Sequence, residues 1–361
     1  MDNIIKYFYN INVDKIIPHK NYYTIISPPN IYHLIITDIS EKEITNIIPL
    51  TTGSNLFHKI IPNKQGKYIS IYNNIPYILM KIHINTEKKV SLLEISNINN
   101  IPIRGTTPPS WSNLWSTKID YLEIQINQIG KKHPLLVDTL NFFIGLTENA
   151  ISYYNHNVDK NNIPLSLTHK KIPINSTIEA LYNPFNLKID HKSRDLAEYI
   201  KVSFYNSNKN IINELNTYFQ NNPYTKNDMN ILFSRILYPS IYFDIYDSII
   251  LNELSEDNIN KIIATIPDYT TYLDNIYNYL NKYYPLEPIP WLKKKKLNLI
   301  NNFNNFRYLI NKSTLNTLFH CMVCIFTIRA SPHKFNIYNP IFISTKDNIS
   351  PIILQIRSNL I

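Results

Sequence analysis

The stretch KIDHKSRDLAEYIK, residues 188–201, sets charges of both signs into a chain otherwise dominated by Ile, Asn, Leu and Tyr. Asp190 follows the short run LKI, a candidate strand. Ser193 is a candidate helix N-cap, and Asp195 places a carboxylate in the first turn, where the helix dipole favours it. Leu196, Ile200 and Val202 to Phe204 then face a core. Asp190 thus sits in a loop between a strand and a helix, a position from which side chains commonly carry function.

Upstream, two long amphipathic helices are predicted. In SWSNLWSTKIDYLEIQINQIG the apolar residues Trp111, Leu114, Trp115, Ile119, Leu122, Ile126 and Ile129 recur at steps of 3 and 4, with Ser110 as cap and Gly130 as stop. After Pro134 the pattern repeats through Leu136, Leu140, Phe143, Thr147, Ile151 and Tyr154. The short connection predicts antiparallel packing. Downstream, NDMNILFSRILYPSIYFDIYD, NINKIIATI, TTYLDNIYNYLNKYY and WLKKKKLNLINNFNNFRYLI also read as helical.

Residues 1–95 have a different character. YYTIISP, IYHLIITDI, KYISIYN and IPYILMKIHIN are rich in β-branched and aromatic residues and read as short strands. Asn73-Asn74 predicts a hairpin turn, Gly66 another, and EKEITNIIPL a helix limited by Pro49. The chain is therefore α+β. A small β-rich N-terminal lobe (1–100) is joined through the linker NINNIPIRGTTPPS to a larger helical C-terminal lobe (101–361).

Composition bounds the rest. Asn, Ile, Lys and Tyr are over-used and Gly occurs only 5 times, a pattern that A/T-rich bacterial coding explains. The same bias accounts for much of the +9 net charge, whose lysines are spread along the chain. No specific nucleic-acid partner is expected. The basic run beside Trp291 in WLKKKKLNL reads as a solvated helix face. Cys321 and Cys324 lie in the apolar run TLFHCMVCIFTI and read as core, because His320 and His333 do not complete a usual zinc spacing. No signal peptide or membrane span is predicted.

Taken in order, the two-lobe pattern, the strand–Asp loop and R-D-L-A-E-Y resemble the aminoglycoside/choline-kinase branch of the protein-kinase-like fold. LWSTKID, GLTENAISYY, THKK and DHKSRDLAEYIK together resemble the spore-coat members of that branch, the YutH-type family of endospore-forming bacteria. The likeness runs from about residue 70 to 210 and is strongest at 143–154 and 188–201.

In active relatives the resemblance implies a segment H-G-D-x-x-x-x-N that supplies a catalytic Asp and a metal-binding Asn. Here it maps to His169-Lys170-Lys171, with Ser176 at the Asn position and Asn175 one place away. His169 is retained, whereas Lys171, which cannot accept a proton when charged, stands in the acid's place. By the same resemblance Asp190 matches a second metal-binding Asp, and its plainer role is a carboxylate paired with Lys192 or Arg194. Ser193, Arg194 and Asp195 read as structural. Lys81, at a strand end, matches the phosphate-pairing Lys of the fold. No glycine-rich phosphate loop is present, since Gly53 and Gly66 are the only glycines of the first lobe.

The departures agree. The resemblance therefore implies a catalytically inactive kinase-like structural or assembly protein of the bacterial endospore coat. It implies other coat proteins as partners, synthesis in the mother-cell cytoplasm, and no cofactor. The alternative is an active small-molecule phosphotransferase with ATP and Mg²⁺, in which Asp190 and a carboxylate such as Glu179 replace the lost base.

Overall fold

The structure is a computed structural model; it describes residues 1–293 apart from 53, 84–87, 104–108 and 173–174. The expectations on Gly53, Cys321 and Cys324, and on the lysine run beyond Lys293, fall outside the described residues.

The chain opens with α1 (Asp2–Tyr9), ended by Asn10 in the left-handed conformation at φ 56°. This helix has no counterpart in the sequence reading. It buries Ile4 and Ile5 against Ile25, Leu34 and Leu79. Strands β1 (Lys15–Pro18), β2 (Tyr22–Ser27) and β3 (Asn30–Ile36) form an antiparallel meander. The helix α2 (Glu41–Thr51) starts at a capping box in which Ser40 and Glu43 satisfy each other's backbone N–H. It runs through Pro49, which falls in its last turn. The Glu41 carboxylate accepts from the N–H groups of Tyr68 and Ile69 at 2.7 and 3.0 Å, tying α2 to the next hairpin.

Strands β4 (Lys59–Ile61), β5 (Ile69–Tyr72) and β6 (Ile75–Ile82) complete the sheet, in the order β1-β2-β3-β6-β4 with β5 also on β6. Asn73 and Asn74 take φ 50° and 61° between β5 and β6, the positive values a tight hairpin needs. Gly66 turns at φ 77°.

The helix α3 (Leu92–Asn99) runs into the stretch that reads as linker in the sequence, and strand β7 (Pro102–Ile103) lies within it. Then come α4 (Trp111–Ile129), α5 (Pro134–Asn157), β8 (Leu165–His169) and α6 (Ile178–Leu181). A 3-10 turn at Pro184–Asn186 leads into β9 (Leu187–Asp190) and α7 (Ser193–Tyr205). The remaining helices are α8 (Ile211–Asn221), α9 (Lys226–Leu237), α10 (Ser240–Ile250), α11 (Asn258–Leu280) and α12 (Pro290–Lys293).

Leu92, Ile95 and Ile98 of α3 belong to the helical core, and α3 packs on α7, α8 and β8. The apolar face of α3 is therefore buried against helices of the C-terminal part. The run NDMNILFSRILYPSIYFDIYD splits at Tyr238-Pro239 into α9 and α10, since a residue before proline disfavours helical ψ. Conversely, NINKIIATI and TTYLDNIYNYL fuse into one α11 with Pro267 inside.

The two long helices α4 and α5 pack together through Trp115, Ile119, Leu122, Leu136, Leu140 and Phe143. Leu114 is 49% exposed, so it leaves the face its spacing assigns to it. Gly130 is in a right-handed conformation. A Cβ there would lie 2.7 Å from the Ile126 carbonyl oxygen and 2.8 Å from Val137 Cγ2, so only glycine fits this turn.

Histidines line the seam between the lobes. The His58 N–H donates to the Tyr182 carbonyl at 3.1 Å. Its Nδ1 accepts from the His83 N–H at 3.2 Å, so its Nε2 carries the hydrogen and donates to the Glu179 carbonyl at 2.9 Å. His33 Nε2 lies 3.9 Å from a Glu179 carboxylate oxygen. Burial pulls both rings down to about 4.

Candidate functional site

The site forms where three segments meet: the end of β8, the end of β9, and the first turn of α7. The strands β7, β8 and β9 make a small antiparallel sheet in which Ser166 faces Asp190 and His169 faces Leu187. All five residues of β8 are buried, the polar Ser166, Thr168 and His169 among them, and each of these three has a hydrogen-bond partner. The chain leaves β9 at Asp190 and enters α7 at Ser193, with Lys192 at the cap position. The Ser193 side chain therefore does not cap. Its hydroxyl donates to the Asp228 carbonyl at 3.2 Å and fastens α7 to α9.

Asp190 is 1% exposed and surrounded by donors. Its Oδ1 accepts from Trp111 Nε1 at 3.0 Å, Arg235 Nη2 at 2.6 Å and the His191 N–H at 2.7 Å. Its Oδ2 accepts from Arg194 Nη1 at 3.2 Å. Three donors thus converge on Oδ1 and one on Oδ2, and two of the four belong to guanidinium cations. Lys192 is not among them, contrary to one sequence option. It reaches Asp228 and the Pro223 carbonyl instead.

Arg194 does more than pair with Asp190. Its Nε donates to the His169 carbonyl at 2.6 Å and its Nη2 to the Lys170 carbonyl at 2.7 Å. One guanidinium therefore fixes the loop after β8 relative to the end of β9. Arg235, on α9, is 5% exposed, and burial drags its guanidinium below the usual range against the pull of Asp190.

His169 is also enclosed. Its N–H donates to Asp195 Oδ1 at 2.9 Å, and its Nδ1 lies 2.7 Å from Asp195 Oδ2. Its Nε2 lies 2.9 Å from the Leu181 carbonyl oxygen. Asp195, fully buried, takes a further hydrogen bond from Asn99 Nδ2 at 2.8 Å. The Asp195 carboxylate thus holds β8 and α3 to α7 instead of facing the helix amides of its own turn.

Lys171 turns outward, 61% exposed at the side chain, and pairs with Asp244 of α10. Burial pushes Asp244 up, and the Lys171 ammonium works against it. Asn175 sits at φ 62° and accepts from Lys89 Nζ at 3.4 Å, while Ser176 accepts from the Val90 N–H through its carbonyl. Glu179, on α6, faces His33, and burial raises its carboxyl. Lys81 is on β6, opposite Tyr32 and Lys59. In protein kinases the phosphate-pairing lysine is on the third strand. Here Lys81 lies next to the end of β6, the strand that β3, β4 and β5 all pair with.

Two further charged pairs escaped the sequence reading. His191 Nε2 donates to Asp228 Oδ1 at 2.8 Å, while its Nδ1 accepts from the Ser193 N–H at 3.2 Å, which defines a neutral ring. Burial lowers His191, in accord with that form. Lys201, 1% exposed, donates to Glu198, Ser240 Oγ and the Arg235 and Tyr238 carbonyls. A signal for Arg235 does exist in the sequence. It is the lone cation in the apolar run MNILFSRIL, and arginine is seldom buried unless paired.

The donor set does not fit Mg²⁺ as this fold family would hold it. The ion takes near-octahedral oxygen ligands, whereas Asp190 is faced by two guanidinium cations, an indole N–H and a backbone N–H. Among the described residues no cluster of three His, Cys, Asp or Glu could hold a metal. No helix of the described residues is long and apolar enough to cross a membrane.

Comparison with known proteins agrees with this architecture. Residues 2–283 match a family model described as "Spore coat putative kinase YutH". The endospore coat-associated protein YutH of Bacillus subtilis (strain 168) is 23% identical, across 77% of this chain and 93% of that protein. Among solved structures, an aminoglycoside phosphotransferase from Alicyclobacillus acidocaldarius superposes with a TM-score of 0.55 at 8% identity, covering 75% of this chain and 93% of that one. The AMP-bound complex of the spectinomycin phosphotransferase APH(9)-Ia gives 0.51 at 12% identity, covering 80% and 98%. The fold is kinase-like, with an antiparallel N-terminal sheet and a helical C-terminal part.

Proposed function

Because this chain belongs to the YutH family of spore-coat kinase-like proteins, we propose that it is a catalytically inactive assembly component of the endospore coat. The observation that carries this reading is the engagement of Asp190 by two guanidinium groups, Arg235 and Arg194, together with Trp111 and the His191 amide. Phosphoryl transfer needs metal ions that bridge the transferred phosphate, and a carboxylate that orients the attacking hydroxyl. In this chain Asp190 is clasped by two guanidinium groups, whose positive charge opposes a metal cation at the same carboxylate. The residue at the acid's position is Lys171, engaged with Asp244. The nearest alternative carboxylate by sequence, Glu179, is turned toward His33.

The reading assigns the protein to the spore coat, with other coat proteins as partners, in keeping with the coat association stated for the Bacillus subtilis relative. What the chain retains from the kinase-like fold is shape. Buried ion pairs of this kind specify one arrangement of a core more than they stabilise it.

Incubation of the purified chain with ATP–Mg²⁺ and a panel of aminoglycoside and amino-alcohol acceptors tests the reading. No turnover is expected. Turnover that disappears in Asp190→Asn overturns it. Deletion in an endospore former, followed by coat extraction, tests the assembly role: an unchanged set of extracted coat proteins would argue against it.

A further inference from the structure

Three cations share one indole. Lys188 Nζ lies 4.7 Å from the Trp111 ring centroid, Arg235 Cζ 4.4 Å and Arg194 Cζ 5.0 Å. A single carboxylate, Asp190, serves the two arginines. The Lys188 ammonium has no hydrogen-bond or ion-pair partner among the described residues. Lys188 and Asp190 are alternate residues of β9, so their side chains leave the same face of the strand.

The donors are in surplus as well as the charge. Arginine offers five N–H groups, and Arg235 engages Asp190 through Nη2 alone. Its Nε is buried with no partner, although the residue is only 5% exposed. A buried donor without an acceptor is a costly arrangement unless something supplies one. The indole face orients the cations but does not neutralise them. Burial draws Lys188 below the usual lysine range, and Arg194, Arg235 and Lys170 add to it while Asp190 opposes. The spot is therefore electropositive by geometry and by charge count.

We propose that Lys188, Arg194 and Arg235, arrayed on Trp111, form a binding site for a phosphate-type oxyanion that requires no metal ion. Phosphate oxygens would accept from the Lys188 ammonium and from the guanidinium N–H groups that Asp190 leaves free. In a metal-dependent site a cation bridges carboxylate and phosphate. Here the guanidinium groups hold the carboxylate and also meet the anion. This goes beyond the assembly role, since it requires neither a coat partner nor turnover.

Calorimetric titration of the full chain with sodium pyrophosphate in EDTA tests it. Saturable binding without divalent metal is expected, weakened about tenfold in Lys188→Ala, which removes one charge-assisted contact. Lys261→Ala, which removes the same charge from the exposed side of α11, should bind like the unaltered chain. Lys188→Gln serves as a second variant, with circular dichroism confirming that each folds. ATP in EDTA then separates the sources: tighter binding than pyrophosphate assigns a nucleotide, equal binding a free phosphate, and both support the site. No binding in EDTA, binding only with Mg²⁺, or undiminished binding in both Lys188 variants overturns it. Phosphotransfer turnover would overturn the proposed function but not this binding.

Discussion

Arg235 Nη2 donates to Asp190 Oδ1 at 2.6 Å across 45 residues of sequence, and both side chains are almost fully buried. The bond joins α9 to the end of β9 and sets a buried cation against a buried carboxylate.

Breaking this pair from one side leaves a buried charge. Arg235→Leu is expected to destabilise the fold by about 3–5 kcal/mol, read by urea denaturation. The double variant Arg235→Leu/Asp190→Leu should recover much of that loss, because the uncompensated charge goes with it. A double variant no more stable than Arg235→Leu would show that the pair does not act as a unit.

Restoring the acid does not restore the chemistry. Lys171→Asp is expected to show no phosphotransfer with ATP–Mg²⁺, since Asp190 remains held by the Arg235 and Arg194 guanidinium groups. The lost pair with Asp244 is largely exposed and contributes ~0–1 kcal/mol. Rapid turnover in this single variant would contradict the role assigned to Arg235 and Arg194.

Trp111→Phe tests the indole bond to Asp190. It removes one donor from a charged acceptor while keeping most of the ring, at a cost of about 1.5–3 kcal/mol. Thermal unfolding read by circular dichroism checks it, and a change near zero would mean the other three donors suffice.

The lobe seam should weaken on acidification. His33 and His58 are held down to about 4 by burial, against an ordinary 6.5. Between those values the unfolded chain binds more protons than the folded one, so stability rises with pH across that window. Their contribution is complete above about pH 6.5 and is lost as pH falls toward 4. Groups facing them include His19 and Glu179 on His33, and His83 and the Glu179 carbonyl on His58. A melting temperature measured from pH 7 to 4 should fall, and less steeply in His33→Gln.

The sequence carried the helices better than the sites. Trp115, Ile119 and Leu122 announce the face of α4 because a 3.6-residue period is written locally. The helix α1 was missed because its apolar pair, Ile4 and Ile5, is too short to show a period. Asp190 and His169 could be located in chain order, between recognisable strands and a helix. Their partners could not, since Arg235, Trp111 and Asn99 reach them from 45, 79 and 96 residues away. Lys81 could be placed near a strand end from its own segment, but its neighbours Tyr32 and Lys59 come only from the pairing of β6 with β3 and β4.

Arg194 grips the loop after β8 by its carbonyl oxygens, at His169 and Lys170. Every residue type carries that oxygen. The path of the loop is therefore inherited through one arginine, and its side chains are free to drift without disturbing it. The side chains of Lys170 and Lys171 take no part in that grip, so the chemistry of this turn can change while its geometry is kept.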